Sequence, residues 1–442
     1  MSGSVMENCI RRQKWLSGRS VERDGMLSAS AGTSVNALPV FLYEGTRLVP
    51  KTPGTSFRLF GYRPEIPARY VYEYAYQEEA NWTVFDRTLG TDGFSEEAAV
   101  IPQTAYWRIA VRPDAGGRTL AELFDLQEAA ETKPPEPAWL DGEAKAVLKR
   151  VREVRERDSA VFLLMSDTHY SVGCPFEDTV RSLSRVSEDV HPDGLIHLGD
   201  FTDGLLAGGF TRLLAEGIKE ALSGMAPLYD VCIGNHDHNA FRGNPDRMSA
   251  EESARLYSVP ARWYRRDLCE KHLTLFFLDS FDQTARCRYG FDRREVWWFR
   301  RELRRVPKGH AVMVFSHVPP EAKIHVWSDR IRNGPAMIRA AERFHRKRGG
   351  AVIAWVHGHN HAEQVFTEHA FPIVGIGCSK LESFSEHKPD GSVTAERRQG
   401  TPAQELFDVL VVYADKKKAD FIRFGAGYDR HIPDSSSEGG KT

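Results

Sequence analysis

From residue 160 the sequence repeats one device: a short, almost uninterrupted apolar run that ends in a cluster of polar residues. "AVFLLM" leads into "SDTH", "GLIHL" into "GDFTD" and "PLYDVCI" into "GNHD"; later "AVMVF" leads into "SHVPP" and "AVIAWV" into "HGHNH". Apolar runs of this length are strands buried on both faces, and such strands belong to sheets covered by helices. The amphipathic segments "FEDTVRSLSRVSEDV", "GLLAGGFTRLLAEGIKEALSG" and "RREVWWFRRELRRV" supply those helices. The fold class expected here is therefore α/β. "LTLFFLD" and "FPIVGIG" add strands, and "ELFDVLVVYAD" and "ADFIRFG", joined by "KKK", read as a closing hairpin.

A polar group at the end of a buried strand loses roughly 2 kcal/mol or more unless it finds a partner. Five strands deliver such groups: Asp167 and His169; Asp200 and Asp203; Asn235, His236 and Asp237; His317; and His357, His359 and His361. In open α/β sheets the crevice beyond the carboxyl ends of the strands is where ligands bind. Imidazole, carboxylate and amide donors without cysteine exclude an iron–sulfur cluster and suit manganese, iron, zinc or nickel. One catalytic zinc takes about three protein ligands. The larger supply here suits two divalent ions sharing a carboxylate.

In this order, "DTH", "GDFTD", "GNHD", "SHVPP" and "GHNH" resemble the five motifs of the calcineurin-like metallophosphoesterase superfamily, in its bacterial form. No motif departs from the family pattern. The resemblance implies a four-layer α/β/β/α sandwich with a dinuclear site at the strand ends. It assigns Asp167, His169 and His361 to one ion and Asn235, His317 and His359 to the other, with Asp200 bridging. It gives His236 the phosphate contact and protonation of the leaving oxygen. Asp237 would orient His236, and Asp203 would stand behind the ligands. The activity implied is metal-dependent phosphoester hydrolysis. A phosphodiesterase is favoured over a phosphomonoesterase because His236 can assist a poor alkoxide leaving group.

Other residues carry two readings each. His197 and His310 are expected as satisfied core or edge residues, and His357 as a structural or supporting one. His238 is either a pocket wall or an exposed side chain, and Tyr170 is a candidate for the pocket lining. The inserts 239–270 and 321–335 are expected to shape that pocket. "RFGAGYDR" at 423–430 reads as a tight turn closing the domain, with Arg423 or Arg430 reaching a substrate anion as the alternative.

The first part of the chain has a different rhythm. Short β-type runs separated by turn residues suggest an all-β, jelly-roll-like sandwich over residues 12–122. "RYVYEYAY" sets a tyrosine at every second position, so four rings share one strand face. Tyr70, Tyr72, Tyr74, Tyr76, Trp82 and Trp107 either fill this sandwich or stack on the sugar rings of a glycan or surface polymer. The division expected is a flexible start (1–11), the sandwich (12–122), a proline-rich linker and helix (123–158), the phosphoesterase domain (159–432) and a disordered tail (433–442).

The charge balance, 59 basic against 61 acidic residues, gives no global field to draw nucleic acid or an anionic membrane. No apolar run reaches the length of a transmembrane segment, and the start lacks the apolar core of a signal peptide. The chain as written reads as cytoplasmic, or as secreted if a leader was removed. The six cysteines lack CxxC spacing and are expected as reduced thiols.

Overall fold

The computed structural model describes residues 9, 11–21, 27–36, 38–62, 93–127, 136–170, 176–204, 208–240, 247–347, 351–382 and 388–433. The tyrosine-rich run 70–76, Trp82 and the tail from 434 lie outside the described residues. The chain forms two compact units, one of residues 1–135, 171–174 and 205–220, the other of 136–170, 175–204 and 221–442.

The N-terminal unit is antiparallel β. Ala105–Arg112 is its organising strand: it pairs with Leu27–Asn36, Val40–Leu42 and Ser56–Tyr62, and Trp15–Val21 extends the sheet beyond Leu27–Asn36. A second, three-stranded sheet joins Ala99–Val100, Arg47–Pro50 and Phe124–Gln127. Phe57 from one sheet meets Phe124 from the other edge-on, with ring centroids 5.0 Å apart. Trp107 is fully buried and donates its indole N–H to the carbonyl of Gln103. It is therefore a core residue, closed to a sugar ring.

The larger unit contains two six-stranded sheets. The first runs Leu228–Val231, Gly194–His197, Ala160–Met165, Leu406–Tyr413, Lys418–Gly425 and Arg430–Ile432. Its first three strands are parallel, and the last three continue antiparallel. The expected hairpin thus forms, but its first strand is central, paired directly with Ala160–Met165. The second sheet runs Tyr264–Leu268, Leu273–Leu278, Ala311–Ser316, Val352–His357, Ile373–Ile376 and Glu363–Phe366, with a parallel centre and antiparallel edges.

Strand period 2 divides the side chains between two cores. Phe162, Leu164, Leu275, Phe277, Met313, Phe315, Leu410 and Phe421 fill the space between the sheets. The alternate residues Phe276, Val312, Val314 and Trp355 pack with Phe299 of helix Arg293–Leu303 and with Met337 and Ala341 of helix Gly334–Lys347. Each such buried ring or branched side chain stabilises the layer by roughly 1.5–3 kcal/mol. Helices Leu140–Val154 and Phe176–Val190 bury their apolar stripes, including Val147, Val151, Leu183 and Val186, to complete the α/β/β/α order.

A buried ion network ties the two sheets together. Arg423 of the first sheet is 1% exposed and binds Asp408 on the neighbouring strand at 2.9 Å and Glu363 of the second sheet at 2.9 Å. Arg430 contacts the same two carboxylates and donates to the carbonyl of Gly375 at 3.0 Å. The 423–430 segment is therefore a structural staple. Both arginines are committed to protein carboxylates, against the alternative in which one reaches a substrate anion.

Candidate metal centre

The five motifs lie where strands end, and the loops they enter are held in register with one another. The Asp167 N–H donates to the carbonyl of Gly199, His169 to Asp200 and Tyr170 to Phe201, at 2.8–2.9 Å. The Gly358 N–H donates to the carbonyl of His317, and Lys380 N–H to that of Asp167, each at 3.0 Å. Asp167, His169, Asp200, His359 and His361 all have positive φ, between 43° and 66°. Non-glycine residues avoid this region, and such strain gathers where the surroundings over-determine the backbone for function. Glycine is required between the loops. A Cβ on Gly234 would stand 2.1 Å from Asp200 Oδ1, and one on Gly358 would stand 1.9 Å from Ser166 Oγ and 2.4 Å from Asp167 Oδ2.

The backbone curls bring every expected ligand residue into one buried cluster. Asp167 Oδ1 lies 3.3 Å from His361 Nε2 and 3.8 Å from His169 Nε2, while the two imidazole nitrogens are 3.0 Å apart. Asp200 Oδ2 lies 3.1 Å from His317 Nε2 and 3.5 Å from His169 Nε2. His317 Nε2 in turn faces Asn235 Oδ1 at 3.1 Å and His359 Nδ1 at 3.2 Å. Four groups have a geometry that could hold an ion: Asp167, His169 and His361; Asp200, His317 and His359; His169, Asp200 and His236; and His361, Cys378 and Glu382, the last bringing in a thiol outside the expected donor set.

The donor set fits divalent cations. His317 donates its Nδ1–H to the carbonyl of Leu198 at 2.9 Å, so the neutral ring has its lone pair on Nε2. That lone pair points at a carboxylate, an amide oxygen and another imidazole, so acceptors face acceptors. Burial raises the Asp167 and Asp200 carboxyls, but the neighbouring histidines outweigh it and hold both far below the usual range. Burial likewise opposes charge on His317, and Asp200 with Asp167 overcomes it. The two carboxylates thus draw positive charge onto the imidazoles around them, charge that divalent cations would supply instead.

His236 stands beside these atoms. Its Nδ1–H donates to the carbonyl of Asp203 at 2.5 Å, and its Nε2 is 4.0 Å from Asp200 Oδ2. Burial pushes its pKa down to about 4. The expected aiming of His236 by Asp237 is not what forms. The Asp237 carboxylate accepts from the N–H groups of Asp200, Phe201 and Gly234 and from the Tyr257 hydroxyl, at 2.8–3.0 Å. Four donors use the lone pairs a carboxylate offers. Asp237 knits two loops together, and burial and nearby Asp200 push its pKa up to about 7.

The remaining expectations resolve by burial. Asp203 is buried with Oδ1 3.2 Å from His169 Nδ1. Tyr170 is buried edge-on to Phe176, ring centroids 5.3 Å apart. His238 is 1% exposed, so simple surface exposure is excluded; its Nε2 has no hydrogen-bond partner and its ring lies 5.4 Å from Phe281. His197 is a satisfied core residue, accepting from the Gly199 N–H and donating to Thr168 Oγ1 at 2.7 Å. His357 is fully buried with Nδ1 at 2.8 Å from the carbonyl of Gly358.

Four neighbours of the centre escaped the sequence reading. Glu382 binds His361 Nδ1 at 2.7 Å, and Lys380 lies next to Glu382 and Asp203. Both follow the strand Ile373–Ile376, a sixth strand end whose polar residues "SKLE" carry the same signal as the other five. His325 stacks on His359 at 16° with centroids 5.0 Å apart, and Tyr289 lies 5.1 Å from the same ring. Neither has a motif to betray it.

A sequence model of the calcineurin-like phosphoesterase family matches residues 160–363. This stretch, which holds all five strand-end motifs, is similar to that family. The match begins with strand Ala160–Met165 of the first sheet and supports a hydrolase of phosphoesters. Among solved structures, a dimetal phosphatase from Danio rerio is similar at 14% identity and a TM-score of 0.41, over 62% of this chain and 99% of that one. Purple acid phosphatase PPD1 from yellow lupin (Lupinus luteus) seeds is similar at 11% identity and a TM-score of 0.44, over 95% of this chain and 74% of that one. No curated protein matches the chain. Among the described residues, no helix is long and apolar enough to cross a membrane.

Proposed function

We propose that the phosphoesterase domain is a dinuclear phosphodiesterase. The observation that carries this reading is the central place of Asp200, whose Oδ2 is within 3.5 Å of a histidine from each of two ligand groups. Asp167, His169 and His361 would hold one divalent ion and Asn235, His317 and His359 the other, with Asp200 between them. The donor chemistry suits manganese, iron, zinc or nickel. Such ions, when bound, polarise phosphoryl oxygens and lower the pKa of water toward neutrality.

The protein's own share of the chemistry falls to His236. Its Nδ1–H is held by the Asp203 carbonyl, so the outward Nε2 is the atom that would contact phosphate; it would pass a proton to the leaving alkoxide only from the imidazolium form, after taking a second proton on Nε2. A poor alkoxide leaving group benefits most from such a proton, which favours diesters over monoesters. His238, with its unpartnered Nε2, and the His325–Tyr289 wall would line the leaving-group side.

The test is a panel of nucleotides, cyclic nucleotides, glycerophosphodiesters and sugar phosphates, run with metal analysis of the purified protein. Higher kcat/KM on bis(p-nitrophenyl) phosphate than on p-nitrophenyl phosphate is expected; the reverse order would make the domain a phosphomonoesterase. Undiminished hydrolysis by Asp200→Ala or His317→Ala would remove the dinuclear account.

A further inference from the structure

His169 and His361 turn their Nε2 atoms toward each other and toward Asp167. Their other ring nitrogens each face a carboxylate: Asp203 Oδ1 stands 3.2 Å from His169 Nδ1, and Glu382 Oε1 stands 2.7 Å from His361 Nδ1. One ammonium group spans both carboxylates. Lys380 Nζ is 3.5 Å from Asp203 Oδ1 and 4.0 Å from Glu382 Oε2. Its side chain is only 3% exposed, so neither bulk solvent nor a substrate phosphate has free access to it.

The lysine is placed by its backbone as firmly as by its charge. Its N–H donates to the carbonyl of Asp167, a candidate ligand, at 3.0 Å. The Arg397 guanidinium donates to the carbonyls of Cys378, Ser379 and Lys380, at 2.8–3.3 Å. The strand-end loop is thereby pinned on both sides of the ammonium. Four carboxylates, Asp167, Asp200, Asp203 and Glu382, gather around two imidazoles here, and the Lys380 ammonium lies between two of them.

We propose that Lys380 is a positioning residue, which joins Asp203 and Glu382 into one clamp that fixes the ring orientation and tautomer of His169 and His361. The inference rests on the dinuclear reading above, because those two imidazoles are the ones assigned to a single ion. With the ammonium present, Glu382 stays on the Nδ1 of His361 and Asp203 stays beside that of His169, so each Nε2 keeps facing inward. Without it, the two carboxylates repel each other and the charged ligands in front of them, and the rings lose their common aim. Partners behind metal-binding histidines typically contribute about 10–100-fold to metal affinity.

The experiment uses the full chain, stripped of metal and titrated with manganese by calorimetry, with metal content after dialysis as a second measure. Lys380→Met, a neutral side chain of similar length, should weaken one of the two ions about 10–100-fold and leave the other unchanged. Glu382→Gln, which keeps an acceptor on His361 but removes one charge, should weaken the same ion and serves if Lys380→Met fails to fold. Both ions held at wild-type affinity in either folded variant would overturn the clamp. Equal weakening of both ions would also overturn it, because the lysine would then act on the whole fold. A wild-type chain that binds no manganese, zinc, iron or nickel would instead overturn the dinuclear reading on which the clamp rests.

Discussion

The imidazole of His236 hangs on the backbone of Asp203, with Nδ1 2.5 Å from that residue's carbonyl oxygen. Because a carbonyl can only accept, the proton of the neutral ring belongs on Nδ1, and Nε2 faces the site, where it takes up a second proton before it can act as an acid. His236→Ala should therefore keep its metal content while kcat falls roughly 10²–10⁴-fold, the usual share of a positioned acid. Metal analysis beside turnover checks this, and loss of metal would move His236 among the ligands.

Asp237 predicts a different phenotype from its neighbour. Its carboxylate satisfies three backbone N–H groups and the Tyr257 hydroxyl in a buried position. Asp237→Ala strands those donors, at about 1–3 kcal/mol for each that water cannot reach. Urea titration should show a loss on the order of 3 kcal/mol or more. A variant as stable as the parent would contradict this role.

The inter-sheet staple should behave as a broken buried pair. Arg423→Met leaves Asp408 and Glu363 facing Arg430 alone and should cost about 3–5 kcal/mol in chemical denaturation. KM of the folded fraction should hold, since neither arginine reaches the centre. A raised KM with intact stability would revive the substrate-anion reading of this segment.

Glu405 supplies a pH prediction away from the ligands. It is fully buried, accepts from Gln404 at 3.0 Å and has Arg397 and Asp178 nearby; burial dominates and pushes its pKa up to about 7. The folded state then holds the proton more tightly than the unfolded chain. This stabilisation is complete below about pH 4.5 and is lost as pH rises through about 7, a change on the order of 3 kcal/mol. Glu405→Gln should flatten that window and melt higher than the parent at pH 8. Melting curves from pH 5 to 8 test it.

Much of the centre was legible because strand-end chemistry is local. Asp167, Asp200, His317 and His359 each follow directly on an apolar run, and the run alone says where the side chain will emerge. Glu382 and Lys380 obey the same rule and show that it extends to the strand Ile373–Ile376. Asp237 was misjudged because its donors come from loops distant in sequence, and no spacing encodes them. His325 and Tyr289 reach the centre from an insert and a bend, where side-chain direction follows from packing rather than periodicity. The four-layer order came from the family resemblance, because these runs are apolar at every position and show no alternation; the central place of Leu406–Tyr413 was not readable, since pairing order is a tertiary choice.

That pairing also sets a timetable for making the protein. The strand that leads to Asp167 and His169 hydrogen-bonds on one side to residues 194–197, available almost at once, and on the other to residues 408–412. At roughly 5–20 residues per second, a nascent chain waits on the order of ten seconds or more for that second neighbour. Until it emerges from the ribosome, one edge of the most apolar strand stays unpaired. A chain stopped after residue 363 would contain all five motifs and still be unable to close the sheet that presents them.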